Sequence, residues 1–212
     1  MPFDLARALR PESTALLLFE CQEGIVGREA AFPALREAVE RRGLLDNLAR
    51  LREAASQAHV PVFHLTTSRR EDGAGSRANC PLLAASRKSP PLVPGSPRQA
   101  IVAPLAPREG EFVLARMHGV SPFHASELDA LLRNLGVETV VVTGVSLNVG
   151  ILGTTIEAVN CGYSVVVPRD CVAGTPEAYA EAVLENTIRL LAAVVDSTEI
   201  AEVWRRSGER EA

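Results

Sequence analysis

Short apolar runs alternate with longer amphipathic segments along most of the chain. The runs are rich in β-branched residues and end at polar residues or prolines, as strands buried on both faces do. They lie at about residues 14–19, 60–65, 111–115, 140–142, 165–167 and 194–196. Apolar residues at helical spacing predict helices at about 35–42, 44–57, 126–135 and 176–191, one ending near 160 and one ending near 205. This alternation predicts an α/β fold, a three-layer sandwich with a mostly parallel central sheet and helices on both faces.

The stretch 138–170 predicts where a site lies. It contains a buried strand, a break at Gly144, a helix that stops near Gly162 and a second buried strand. Two parallel strands joined through a helix bind ligands at their carboxyl ends, near the helix N-terminus. We therefore expect the functional site at the turn 144–150.

Residues 66–110 interrupt the alternation with a run rich in proline and arginine. A loop of this length is typically either a functional lid or a disordered segment. A short helix is predicted at 81–86 within it. Its basic residues favour either a solvated loop or an anion-binding lid. They are Arg69, Arg70, Arg77, Arg87, Lys88 and Arg98.

Length and composition indicate the number of domains and argue against nucleic-acid-binding and membrane proteins. The 212 residues, 47% of them hydrophobic, are enough for a full core, and we expect one domain over 1–212 with an insertion at about 66–110. The net charge of −4 provides no basic field for nucleic acid. No apolar stretch approaches a membrane span of about 20 residues, and residues 1–11 lack the pattern of a signal peptide, so we expect a cytoplasmic protein without membrane contact.

The four cysteines predict reduced thiols rather than a disulfide or metal framework. They are Cys21, Cys80, Cys161 and Cys171, and no CxxC pair occurs. Cys21 is expected to be a core or wall residue, and Cys161 and Cys171 to be buried and inert. No His/Asp cluster follows His64, so we expect neither a metal nor another cofactor.

Three stretches together resemble the isochorismatase-like, or cysteine hydrolase, superfamily over nearly the whole chain. They read TALLLFECQEGIVG from residue 14, ARMHGVSPFHASELDALLRNLGVETVVVTGV from residue 115, and GVSLNVGILGTTIEAVNCGYSVVVPRDCVAG from residue 144. In amidases of that family a Cys attacks an amide carbonyl, an Asp takes the thiol proton and a Lys supports the charge. The resemblance also implies a homo-oligomer, a dimer or tetramer.

At the positions of these three family residues, this chain has other residues. Glu20 stands at the Asp position, and Gly150 stands at the Cys position. Counting six residues back from Phe123 puts Met117 at the Lys position. We therefore predict a divergent, triad-deficient member that works without a cysteine nucleophile.

Two functions remain open. Vinyl-ether-cleaving isochorismatases of that family also carry Gly at the Cys position and use acid catalysis, so Glu20 is a candidate acid or base with Arg116 and His118 as charge partners. The expected substrate is a small molecule with a vinyl ether, amide or related bond. Alternatively, Glu20 pairs with a basic neighbour only to fix two strands, and the protein is an inactive ligand binder or partner subunit.

The remaining predicted site residues form the pocket wall and the turn. In the family that turn exposes backbone N–H groups to the substrate and often contains a cis peptide, here expected between Val145 and Ser146. The predicted substrate-binding residues are Gln22, Met117, Phe123, Ser146, Asn148 and Gly150.

Overall fold

Seven parallel strands form the central sheet of a computed structural model that describes residues 4–211. The order is β3-β2-β1-β4-β5-β7, with β6 paired to β4. The strands are β1 Thr14–Phe19, β2 Val62–Thr67, β3 Phe112–Arg116, β4 Thr139–Val145, β5 Ser164–Pro168, β6 Val172–Ala173 and β7 Ala193–Val195. This confirms the predicted α/β fold and parallel sheet. The first three residues of the segment 1–11 lie outside the described part.

Helices cover both faces of the sheet. They are α1 Leu5–Ala8, α2 Pro33–Arg41, α3 Leu44–Gln57, α4 Pro81–Ser86, α5 Leu128–Asn134, α6 Leu152–Asn160, α7 Glu177–Asn186 and α8 Ser197–Glu211. A single π-helical turn, Leu147–Ile151, precedes α6. The helix predicted at 176–191 ends earlier because the chain continues from Asn186 into a short 3₁₀ turn, Ile188–Leu190.

Alternation along β1 explains the two cores. Leu16 and Leu18 join a cluster with α2, α3 and α8, whereas Leu17 and Phe19 join a cluster with α5, α6 and α7. Successive side chains of a strand point to opposite faces, so a wholly apolar strand supplies both layers. At about 25 cal/mol per Å² of apolar surface, each buried leucine contributes roughly 1.5–3 kcal/mol.

The order of the strands creates a crevice between β1 and β4. The chain passes outward from β1 through β2 to β3 and then returns to place β4 on the other side of β1. Ligands of open parallel sheets bind at such a reversal, outside the carboxyl ends of the strands. Phe19 at the end of β1 pairs with Gly144 of β4, and Gly144 has φ +103° with no room for a Cβ, which would lie 2.2 Å from the Phe19 carbonyl oxygen.

The segment 66–110 lies above this crevice and forms a wall. It contains the predicted helix α4, and backbone hydrogen bonds join it to the loop after β1, from Gly24 N to Arg98 O at 2.9 Å and from Glu23 N to Ala100 O at 2.9 Å. Ser76 Oγ also donates to Met117 O at 2.7 Å. The prolines remove backbone donors, so these few bonds hold a segment that forms neither long helix nor strand.

Candidate active site

A cleft of about 200 Å³ opens at the carboxyl ends of β1 and β4. Phe19, Glu20, Arg116 and Gly150 lie at its floor, and the segment 66–110 supplies much of its wall. The sequence therefore predicted the place of the cleft from the turn 144–150 and the end of β1.

Glu20 follows β1 in a left-handed backbone conformation, with φ +54°. Its N–H donates to Leu65 O at 2.9 Å, and its carbonyl accepts from Gln22 N at 2.9 Å. Non-glycine residues rarely adopt this conformation, which costs roughly 1–2 kcal/mol, and such residues concentrate at functional sites. The turn places the carboxylate at the cleft with 17% of its side chain exposed.

Arg116, the last residue of β3, forms an ion pair with Glu20. Its Nε donates to Gly119 O at 3.3 Å and its Nη1 donates to Thr66 O at 3.4 Å. The guanidinium also lies over the Phe19 ring, 4.9 Å from the centroid, in a cation–π contact. Only 8% of the side chain is exposed. Two carbonyls, a carboxylate and an aromatic face thus hold Arg116 in one position.

His118 and Met117 line the cleft, and in the described part of the chain neither forms a hydrogen bond or an ion pair with the Glu20 carboxylate. Within residues 4–211, Arg116 is the cation within 4 Å of that carboxylate. Met117 is 49% exposed. Counting back from Phe123 gave Met117 as the counterpart of the family's lysine, with Arg116 and His118 beside it as candidate cations. Of these two, Arg116 forms the ion pair with Glu20.

Gln22 and Phe123 stand beside the cleft instead of forming its surface. Gln22 is fully buried; its Nε2 donates to Thr67 O and Gln99 O, both at 2.9 Å, and its Oε1 accepts from Thr67 N at 2.7 Å. It thus joins the end of β1 to β2 and to the segment 66–110. Phe123 packs in the core against Tyr163, with ring centroids 6.0 Å apart. Both were predicted as pocket wall, and in the described structure both support the wall from behind.

The turn after β4 contains the expected cis peptide bond between Val145 and Ser146. Ser146 and Gly150 line the cleft. Ser146 Oγ donates to Asn148 Oδ1 at 2.6 Å, and Asn148 Nδ2 donates to Thr175 O at 3.3 Å. The Asn148 side chain is therefore directed toward the segment before α7, and of the three predicted turn residues it is the one that does not line the cleft.

Phe19 is the site residue that the sequence analysis missed. Its ring occupies the space that a side chain at residue 150 would take, since a Cβ built on Gly150 would lie 2.4 Å from Phe19 Cε1. The ring is buried, with 1% of the residue exposed. The available signal was an aromatic residue immediately before the strand-end carboxylate, on the face of β1 that alternation assigns to α6.

Arginines are the main charged residues in a wall that is otherwise largely apolar. Arg69, Arg77, Arg87 and Arg98 all line it, together with Arg116 at the floor, and Glu20 is the carboxylate among the lining residues. Burial, followed by the charge of Arg87, lowers the pKa of Arg69. The cleft therefore has a positive charge although the chain as a whole is acidic.

None of the four cysteines, all within residues 4–211, is among the residues that line the cleft. Cys21 and Cys171 are buried in the core, and Cys80 and Cys161 are partly exposed, which corrects the expectation that Cys161 is buried. Burial, with a smaller contribution from Glu20, raises the pKa of Cys21 to about 12. Burial likewise raises the pKa of Cys171. Thiols in such surroundings stay protonated and are poor nucleophiles.

Residues 4–211 contain no group of three or more His, Cys, Asp or Glu side chains arranged to hold a metal ion. Across the same residues, no helix combines the length and the hydropathy needed to cross a bilayer.

A sequence model of the isochorismatase domain matches residues 14–199. The chain belongs to the isochorismatase family. It is similar to enterobactin synthase component B of Escherichia coli K12, with 28% identity over 151 residues that cover 71% of this chain and 49% of that protein. It is also similar to maleamate amidohydrolase of Pseudomonas putida, with 37% identity over 76 residues, 36% of this chain and 35% of that protein. The matches thus span about half, or less, of these curated relatives.

The fold agrees with solved structures of the family. An isochorismatase family protein from Desulfovibrio vulgaris superposes with a TM-score of 0.78 at 27% identity, covering 92% of this chain and 99% of that one. The overall fold is thus shared with a solved structure of this family.

Proposed function

We propose that the protein is a hydrolase of a small anionic substrate that works without a cysteine nucleophile, with Glu20 as general base and Arg116 as its charge partner. The pairing of these two side chains at the floor of the cleft carries the proposal. A carboxylate and a cation are two of the three chemical groups that the family resemblance assigns to this site. The amidohydrolase among the relatives supports hydrolysis as the reaction class.

The ion pair favours a base over an acid. A guanidinium neighbour stabilises the charged carboxylate, whereas the vinyl-ether route requires a carboxylic acid that donates a proton. Glu20 would accept a proton from water as the water oxygen attacks a carbonyl carbon bound near Gly150. The proton would then pass from Glu20 to the departing nitrogen or oxygen as that bond breaks. An amide or ester is therefore the better-supported substrate.

The second candidate is a ligand-binding protein without turnover. Two observations favour this candidate. Arg116 neutralises the charge of Glu20, and the Phe19 ring fills the space above Gly150. In that case the cleft still binds an anion, but neither water nor a nucleophile is activated. The homo-oligomer expected from the family resemblance remains a prediction for either candidate.

Replacement of Glu20 by glutamine separates the two candidates. The parent protein and Glu20→Gln would be given a panel of amides, esters and vinyl ethers that carry a carboxylate or phosphate. General-base catalysis contributes about 10²–10⁴-fold, so kcat/KM of Glu20→Gln should fall by at least about 100-fold. Glu40→Gln is the matched control, because Glu40 forms an exposed pair with Arg36 at 2.8 Å on α2.

The outcomes of this experiment are distinct. Equal rates for the parent and Glu20→Gln would remove the catalytic role of Glu20. A parent that binds members of the panel, by calorimetry, and hydrolyses none of them would establish the ligand-binding alternative.

A further inference from the structure

We propose that the cleft contains a subsite for a single doubly charged anionic group of the phosphate-monoester type, formed by Arg69, Arg77 and Arg87. The inference deepens the proposed function and rests on it, because it names the chemical class of one end of the substrate. It concerns the wall of the cleft, whereas Glu20 and Arg116 lie at the floor.

The charges of the cleft are unequally compensated. Arg116 is paired with Glu20, and Arg98 is paired with Glu29 at 3.2 Å. In the described part of the chain, none of the other three arginines has a carboxylate within 4 Å. Three positive charges therefore face the cleft without an acidic partner.

Backbone carbonyls orient two of these guanidinium groups. Arg69 Nη2 donates to Ser89 O at 3.4 Å, and Arg87 Nη2 donates to Ser76 O. Arg77 directly follows Ser76 and lines the same cleft. Neutral carbonyls fix the guanidinium groups but leave their charge uncompensated.

The positive charges of the wall repel one another. Burial, with a smaller contribution from the charge of Arg87, lowers the pKa of Arg69. Like charges brought together in a partly buried site are unfavourable, and an anion bound between them would reverse the sign of that interaction. The arrangement therefore favours binding of an anion.

The position of the charges favours one dianionic group over other anions. A monocarboxylate would compensate one of three guanidinium groups. Two separated carboxylates would need a second cationic position, and the arginine at the floor is already neutralised by Glu20. A phosphate monoester carries about −1.5 to −2 charges and three terminal oxygens on one atom, which matches several guanidinium groups on one wall.

The same wall provides a surface for the rest of such a molecule. Leu82, Leu83 and Leu92 line the cleft near the arginines. An apolar body between the phosphate and the bond that is hydrolysed would contact these leucines. The predicted ligand is thus a phosphorylated organic molecule with an apolar segment.

Calorimetric titration of the full chain with phenyl phosphate, benzoate and succinate tests the subsite. Phenyl phosphate is expected to bind at least about 10-fold more tightly than either carboxylate, and inorganic phosphate is expected to compete with it. Arg69→Gln and Arg87→Gln should each weaken phenyl phosphate binding by about 10-fold or more, since each removes a charge-assisted hydrogen bond. Arg70→Gln is the control, because Arg70 is 59% exposed and paired with Asp72 at 2.6 Å.

Equal affinity for benzoate or succinate, absence of phenyl phosphate binding, or unchanged binding in both Arg69→Gln and Arg87→Gln would overturn the subsite. Arg87 is exposed, so its variant remains informative if Arg69→Gln folds poorly. Binding is measured without turnover, which separates the two proposals. Hydrolysis without phenyl phosphate binding would remove the subsite alone, and binding without hydrolysis of any substrate would remove the hydrolase alone.

Discussion

Replacing Gly150 with alanine should destabilise the protein, although the same replacement elsewhere in a helix usually stabilises it. A helical glycine changed to alanine gains about 0.4–1 kcal/mol, mainly because the unfolded chain loses freedom. At Gly150 the new Cβ would lie 2.4 Å from Phe19 Cε1 and 3.1 Å from Phe19 Cδ1. The phenyl ring has little space to retreat, since it is 1% exposed and covered by the guanidinium of Arg116.

The size of the effect follows from these two opposing terms. Overpacking a filled core costs about 1–3 kcal/mol. Subtracting the gain expected of a helical alanine leaves a net loss of at most about 2.6 kcal/mol, centred at about 1.3 kcal/mol, in the free energy of unfolding. For a domain of this length the central value corresponds to a decrease in Tm of roughly 3–5 °C.

Chemical denaturation of four variants measures the free energy of unfolding that is lost to this clash. The variants are Gly150→Ala, Gly153→Ala, Phe19→Val and the double variant. Gly153→Ala is the control, because its Cβ would meet nothing within 4 Å in the first turn of α6, and it should be neutral or stabilising. Phe19→Val removes the ring atoms that the new Cβ approaches. The double variant Phe19→Val/Gly150→Ala should be more stable, by at least about 1 kcal/mol, than the sum of the two single effects.

The same pair of residues determines whether a thiol can be placed here. Gly150→Cys alone should lower the free energy of unfolding, because the new side chain meets the Phe19 ring. In the double variant Phe19→Val/Gly150→Cys the thiol has space, so in the native protein it should be alkylated faster than the same thiol in Gly150→Cys alone. A stable Gly150→Ala, or additive effects of the two single changes, would refute the conclusion that the Phe19 ring occupies this space.

Three further predictions concern the buried groups. Arg52→Met should lower the free energy of unfolding by about 3–5 kcal/mol, measured by urea denaturation, because Arg52 is 3% exposed and bonded to Glu111 at 2.7 Å; a loss below 1 kcal/mol would contradict it. Burial lowers the pKa of His64 despite a hydrogen bond with Glu111, so below about pH 6.5 the unfolded chain binds more protons than the folded protein. The free energy of unfolding should therefore decrease on acidification through that value, by at most about 1.4 kcal/mol per pH unit for one proton. His64→Gln should flatten this dependence of the free energy of unfolding on pH. Iodoacetamide should leave Cys21 and Cys171 unmodified in the native protein, and hydrolysis should survive the treatment, measured by peptide mapping and residual rate; rapid alkylation of Cys21 with loss of activity would restore a thiol mechanism.

The fold was predictable because the local signals agree with one another. The runs at 14–19 and 140–142 contain only apolar or β-branched residues. The break predicted at Gly144 is wrong, because β4 continues through this residue to Val145, although its φ is positive. The order of strands and helices then leaves few possible topologies. The end of β1 and the turn after β4 were therefore placed together without knowledge of any distance.

The partners within the site were less predictable, because they depend on how separate segments meet. Counting along the sequence gave Met117 as the family's lysine position and offered both Arg116 and His118 as charge partners of Glu20. The ion pair with Arg116 became apparent only from the packed structure. The contact between Phe19 and Gly150 joins residues 131 positions apart, and no periodicity in either segment indicates it. Arg69 and Arg87 lie in a segment whose sequence has no regular pattern, so their place on the wall depends on long-range hydrogen bonds such as Ser76 Oγ to Met117 O.

The ion pair at the floor has a consequence for the charged wall. A free carboxylate at Glu20 would repel an anionic ligand that approaches the floor, and the repulsion would be strong because 17% exposure leaves little water to screen it. Pairing with Arg116 cancels that charge locally, so the net field of the cleft comes from the wall. An anionic group is then attracted toward Arg69 and Arg87 and held away from the floor, which orients the opposite end of the molecule toward Glu20. Arg116→Met should therefore weaken phenyl phosphate binding although Arg116 does not belong to the proposed subsite, and the loss should shrink in 0.5 M salt, where the Debye length is only a few Å. If Arg116→Met bound phenyl phosphate as tightly as the parent at low salt, the floor and the wall would be electrostatically independent and this account of orientation would fail.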